Sequence, residues 1–144
     1  HVFMGEYAHN IDRKGRLIMP AKFREDLGEH GVVNRGLDGC LYVYTVEQWQ
    51  AVYEKLSTLP STNKDARMYQ RMMLSKAAEC EMDGQGRILI PSSLVALAGL
   101  EKECLIIGVA NHLEIWSKER WERLEEEQSA SFEEAAEHLS GLMG

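Results

Sequence analysis

The sequence predicts a mainly β fold with peripheral helices (α+β), in which two related halves share one pseudo-two-fold β-barrel. Three observations predict it. First, Asp12-Arg13-Lys14-Gly15-Arg16-Leu17-Ile18-Met19-Pro20 returns 71 residues later as Asp83-Gly84-Gln85-Gly86-Arg87-Ile88-Leu89-Ile90-Pro91. Asp, Gly, Arg, an apolar triplet and Pro keep their offsets, which is the mark of a duplicated unit. Second, the correspondence runs on in both directions. Tyr7, His9 and Ile11 match Ala78, Cys80 and Met82, and Phe23 and Gly28 match Leu94 and Gly99. After a one-residue slip, Leu41 to Trp49 matches Leu113 to Trp121. Third, a copy of about 45 residues is too small to bury a stable core alone. Two copies should therefore interleave their strands into one closed barrel, which also removes exposed strand edges.

Each element has a local reason. Tyr7, His9 and Ile11 alternate on one face of a half-buried strand that ends at Asp12. Asp12-Arg13-Lys14-Gly15 is a turn: the Asp side chain can accept from amides just ahead, and Gly15 supplies the positive φ of a tight hairpin. Arg16 to Met19 is the return strand. Pro20 opens a short helix, Phe23 and Leu27 line its inner face, and Gly28 closes it. Strands near Val32–Val33 and Leu41–Tyr44 follow. Thr45 with Gln48 fits a capping box, and the helix it starts carries Val46, Trp49, Val52, Tyr53 and Leu56 on one side. Residues 57–63 read as a linker, and a helix over about 63–76 leads into the second copy. That copy repeats the plan as far as a helix starting at Ser117 with Trp121 and Leu124. Ser131 with Glu134 should cap a last short helix bearing Phe132, Ala135, Ala136 and Leu139. The organisation is a first repeat at 5–49, a helical linker at 50–76, a second repeat at 77–121 and an acidic helical tail at 122–144.

With 44% hydrophobic and 27% charged residues, the composition is that of an ordinary globular protein. No apolar run is long enough to cross a bilayer. His1-Val2-Phe3-Met4 lacks the regions of a secretory signal. Because residue 1 is not Met, His1 and Val2 are set aside from fold reasoning. Cys40, Cys80 and Cys104 are odd in number and without metal-ligand spacing. They read as buried thiols of a reducing cytoplasm.

A net charge of −7 opposes nonspecific attraction to nucleic acid. Its distribution is uneven. Residues 9–24 hold Arg13, Lys14, Arg16, Lys22 and Arg24 against Asp12 alone, whereas 80–95 hold Arg87 against Glu81 and Asp83. Residues 117–144 carry eight acids and three bases. One hairpin is basic on an acidic body. A two-stranded ribbon fits the major groove, where Arg can bond guanine bidentately. Arg13 and Lys14 sit at the tip and Arg16 starts the return strand, while Lys22 and Arg24 could reach flanking phosphates. Arg16 has a second reading. Asp12–Arg16 and Asp83–Arg87 flank the two turns identically, so Asp12, Gly15, Asp83, Gly86 and Arg87 form a structural motif in which Arg16 braces the hairpin instead of, or besides, touching bases. Bracing does not explain Arg13 and Lys14, which become Gly84 and Gln85 in the twin; a solvated turn would.

Other features point elsewhere. Lys64, Arg67 and Arg71 form a basic helix stripe that is a solvated face, a phosphate contact or a seat for an acidic neighbouring subunit. Met68, Met72 and Met73, with Tyr69 and Leu74, suit a core or a subunit contact. Trp49 and Trp121 are matched core residues. His9, His30, His112 and His138 have no ligand spacing, so no metal or cofactor is expected. Paired loops that each present an Asp resemble an aspartic-protease dyad, in which two carboxylates share a proton. Here each Asp has an Arg four residues later that would keep it ionised, and no other catalytic arrangement stands out. An enzyme is not expected.

Phe3-Met4-Gly5-Glu6-Tyr7, Ile11-Asp12, Lys14-Gly15-Arg16, Pro20-Ala21-Lys22-Phe23-Arg24, Ala77-Ala78-Glu79-Cys80-Glu81-Met82-Asp83, the second Gly84-Gln85-Gly86-Arg87 and Leu113-Glu114-Ile115-Trp116 together resemble the MraZ family. The likeness extends from Phe3 to about Trp121. It implies two tandem SpoVT-AbrB-like, swapped-hairpin repeats. It also implies a transcriptional regulator of the bacterial division and cell-wall gene cluster, usually a repressor, found in the cytoplasm on the nucleoid. Partners implied are double-stranded promoter DNA carrying G-rich direct repeats and further copies of the chain in a ring-like homo-oligomer. No membrane and no small-molecule substrate is implied. The rival reading is an antitoxin-like protein-interaction module that binds DNA secondarily.

Overall fold

The computed structural model describes residues 2–144; His1, set aside above, lies outside them. The first half runs β1 (Phe3–Asn10), β2 (Arg16–Ile18), α1 (Ala21–Leu27), β3 (His30–Arg35), β4 (Leu41–Thr45), α2 (Val46–Ser57) and α3 (Lys64–Ser75). The second runs β5 (Ala78–Glu81), β6 (Arg87–Leu89), α4 (Ser92–Ala98), β7 (Glu103–Ala110), β8 (His112–Ser117), α5 (Lys118–Gln128) and α6 (Phe132–Met143). Element for element, the order is the same. In this sense α6 stands where α3 does.

The halves exchange strands. β1 pairs antiparallel with β7 along its whole length, from Phe3↔Ala110 to Asn10↔Glu103. Reciprocally, β5 pairs with β3, from His30↔Glu81 to Val33↔Ala78. β4 and β8 meet at the centre, so the large sheet has the order β1-β7-β8-β4-β3-β5. β2 and β6 form a separate two-stranded ribbon. Instead of a continuous barrel ladder, single bridges at Ile11↔Leu17 and Met82↔Ile88 join the ribbon to the two outer strands of the sheet. Sheet and ribbon thus enclose one core from both halves.

That core contains Phe3, Leu17, Met19 and Phe23 from the first half and Ile88, Leu94, Ile106 and Ile115 from the second, all at most 2% exposed. Phe23 takes the edges of Phe3 and Tyr7, with ring centres 5.5 and 5.1 Å away. Neither half could hold such a cluster alone. The two tryptophans occupy matched positions, Trp49 against Tyr44 and Trp121 against Trp116, and both are half-buried.

Helix starts follow capping chemistry. Thr45 Oγ1 accepts the Gln48 amide at 3.0 Å, Asn63 Oδ1 that of Ala66 at 3.0 Å, and Ser117 Oγ that of Arg120 at 3.3 Å. Two expectations need correction. Pro20 is extended and precedes α1, which begins at Ala21, so it sits one position earlier than expected. Ser131 does not cap α6. A 3-10 turn over Ser129–Ser131 runs straight into that helix and already supplies an acceptor, Ser129 O, for its first amide.

The three cysteines are buried and unpaired. Burial pushes the Cys80 and Cys104 thiols up to about 11, and Cys40 higher still. They act as small core hydrophobes. Among the described residues, no helix is long and apolar enough to cross a membrane.

Candidate nucleic-acid interface

The ribbon β2–β6 and its two turns form the candidate site. In each apolar triplet the middle residue points outward: Leu17 and Ile88 are buried, while Ile18 and Leu89 are exposed. Strand alternation then places Arg16 and Arg87 on that same outer face. The register sets Arg16 opposite Leu89 and Ile18 opposite Arg87, a pseudo-two-fold pattern. A turn sits at either end.

The turns share one internal scaffold. Asp12 Oδ1 accepts the Lys14 and Arg16 amides at 2.9 Å each, and Oδ2 accepts Arg16 Nε at 2.7 Å. Asp83 does the same with the Gln85 and Arg87 amides at 2.9 Å and with Arg87 Nε at 2.8 Å. The Arg16 amide above all, against some loss of solvent, and then the Arg16 guanidinium and the Lys14 amide hold the Asp12 carboxyl below its ordinary range. Asp83 is lowered in the same way, first by the Arg87 amide. Each carboxylate is thus ionised within its own turn, which is the opposite of a proton-sharing dyad. Arg16 and Arg87 are braces. Only the terminal nitrogens of each guanidinium remain for a ligand.

Each turn is also anchored to the other half. Ile90 N–H donates to Gly15 O and Met19 N–H to Gly86 O, both at 2.8 Å. Gly15 has φ +89°, and a Cβ there would meet Ile90 O at 2.6 Å. Gly86 has φ +79°, and its Cβ would collide with the Arg24 guanidinium. Gly15 is required for conformation and for space, and Gly86 for conformation, since a Cβ there has only the Arg24 side chain to displace.

Four of the five cations divide between the two ends of the ribbon. Arg13 and Lys14 are exposed at the tip of the first turn. Among the described residues, neither side chain has a hydrogen-bond or ion-pair partner. Arg24 lies instead over Gly86 at the second turn, where its Nε donates to Met19 O at 2.9 Å. Strand exchange is the reason: α1 follows β2 toward the twin's turn. Lys22 is exposed on the same short helix. Arg13 and Lys14 therefore lie at one end of the ribbon and Arg24, with Lys22 two residues before it, at the other, with Arg16 and Arg87 between. Ile18 and Leu89 were not among the expected site residues. Period-two alternation through each apolar triplet was the available signal.

A duplicated swapped-hairpin protein with one free cationic turn is the class that this fold and site define. The profile described as "MraZ protein, putative antitoxin-like" matches residues 2–72 and again 73–142. Among similar proteins, a transcriptional regulator MraZ of Caldanaerobacter subterraneus subsp. tengcongensis is 56% identical over 98% of this chain and 99% of its own. One of Thermoanaerobacter sp. is 55% identical with the same coverage, and one of Ligilactobacillus salivarius is 54% identical over 96% of both chains. All three carry a regulator's name and none an enzyme's. The chain belongs to the MraZ family.

Proposed function

We propose that the chain is a sequence-specific, DNA-binding transcriptional repressor in the bacterial cytoplasm. In this reading it binds G-rich direct repeats in its own promoter, at the division and cell-wall gene cluster, as a ring-shaped homo-oligomer. The observation that carries the reading is the unpartnered Arg13–Lys14 pair on a turn whose geometry is otherwise fully satisfied. The twin turn keeps the same scaffold without these cations, so folding does not require them.

The ribbon is the reading element. Its outer face enters the major groove, Arg13 and the terminal nitrogens of Arg16 address guanine edges, and Lys14, Lys22 and Arg24 meet phosphates on either side. The turns sit about four residues apart along the ribbon, roughly 13 Å at strand rise, close to the width of that groove. The relatives' regulator name and the family membership support the same reading. An antitoxin-like role is the second reading, favoured by the family's printed description. A toxin gene beside this one would favour it over repression.

Gel retardation of the protein's own promoter tests the proposal. Arg13→Ala with Lys14→Ala removes two charged contacts and should weaken binding by roughly 10²-fold or more, with the oligomer unchanged in size-exclusion. The slope of log affinity against log salt should fall by about 1, since the lost Lys14 phosphate contact removes nearly one unit. Unaltered retardation would place the interface elsewhere.

A further inference from the structure

Helix α6 is unseated. Every one of its residues is exposed, although Phe132, Ala135, Ala136, Leu139 and Met143 fall on one stripe. Phe132 is 74% exposed and Met143 84%. A twelve-residue helix is marginal by itself in water and needs a surface to pack on. Its equivalent α3 has one: Met73 is buried, Asn34 Nδ2 donates to Met73 O at 2.7 Å, and Gln70 Nε2 donates to Leu56 O at 2.8 Å. The outer face of α3 remains bare. Met68 and Met72 lie one turn apart there, 51% and 44% exposed, beside Lys64 and Arg71. Arg67 on the same side gives one N–H to Ser61 O. Among the described residues, Lys64 and Arg71 have no acidic partner.

We propose that α6 of one copy seats its apolar stripe on the Met68–Met72 face of α3 in the next copy, with Glu133 and Glu137 against Lys64 and Arg71. This deepens the homo-oligomer reading above and rests on it. Charge decides the occupant. Pairing α6 with another α6 would set glutamate rows side by side. An anionic lipid surface would repel them too, because interfacial helices carry Lys and Arg on the polar face. The basic, methionine-lined α3 offers opposite charge and a pliable apolar floor. The contact also joins two different surfaces. Such a head-to-tail contact propagates from copy to copy and closes into a ring when its rotation allows, whereas a self-complementary contact stops at a dimer.

Light scattering after size-exclusion tests this. Deleting residues 129–144, none of which is buried, should reduce the particle from ring mass to monomer with the β-sheet signal of the far-UV spectrum retained. Lys64→Glu with Arg71→Glu should dissociate the full-length chain in the same way. Adding Glu133→Lys with Glu137→Lys to that chain should restore the wild-type mass. Retained mass in the deletion, an unaffected charge reversal, or a quadruple variant that stays monomeric would each overturn the docking. The DNA reading stands or falls separately, on whether the deleted protein still retards a single-repeat duplex, more weakly but in an Arg13- and Lys14-dependent manner. A wild-type chain that is monomeric at every concentration would overturn both the docking and the ring.

Discussion

Asp83 accepts three donors from two residues, the Gln85 amide and the Arg87 amide and Nε. Nothing catalytic follows from a carboxylate so satisfied, but a stability effect does. Its folded pKa lies below the unfolded one. The stabilisation is therefore complete above the ordinary carboxylate range and is lost as pH falls through the lowered folded value. Asp12 obeys the same sign. Urea unfolding measured from about pH 6 down to about pH 2 should show stability declining with acid. Asp12→Asn with Asp83→Asn should start lower and decline less over that window, since the amides cannot titrate. Parallel curves for variant and wild type would remove the turns as the titrating elements. The Asp–Arg spacing was readable because it repeats. That Arg16 spends its Nε on Asp12 was not, because the contact exists only once the hairpin is folded.

At the scale of elements, the sequence carried the hairpins, the helix caps at Thr45 and Ser117, and the matched tryptophans, since each depends on a few neighbouring residues. It misjudged Ser131, where Ser with Glu three residues on looks like a cap but the chain is already helical. It also had no means of showing that α1 crosses to the twin's turn, because strand exchange is set by pairing between residues far apart. The junction of Arg24 with Gly86 tests that crossing. Gly86→Ala meets two obstacles, the positive φ and the guanidinium laid over it. We expect about 1–3 kcal/mol of destabilisation from backbone strain, a fall of roughly 2–12 °C in melting temperature by calorimetry. Arg24→Ala in the same chain should recover part of that loss, since it removes the collision and leaves the strain. Strictly additive effects would mean that the two do not touch.

At the scale of the whole molecule, the proposed function has duplication separate stability from recognition. Both halves keep the Asp, Gly and Arg that build a turn, and only the first presents free cations at its tip, on a chain of net charge −7. A single cationic turn makes few contacts, and the acidic body opposes DNA elsewhere, so one copy should bind weakly. Linked copies change the arithmetic, because the second contact becomes intramolecular and can raise affinity by roughly 10²–10⁴. That gain requires geometry. Turns displayed on one side of a ring reach repeats on one side of the duplex, so successive repeats should lie about one helical turn apart, on the order of 10 base pairs. Inserting about 5 base pairs between two repeats turns the second to the opposite face and should remove most of the gain, leaving affinity near that of one repeat. Inserting about 10 should restore much of it, because the repeats face the same way again. Binding titrations on the three duplexes decide the matter. If the half-turn insertion binds as tightly as the native spacing, the turns engage DNA independently and assembly contributes nothing to recognition.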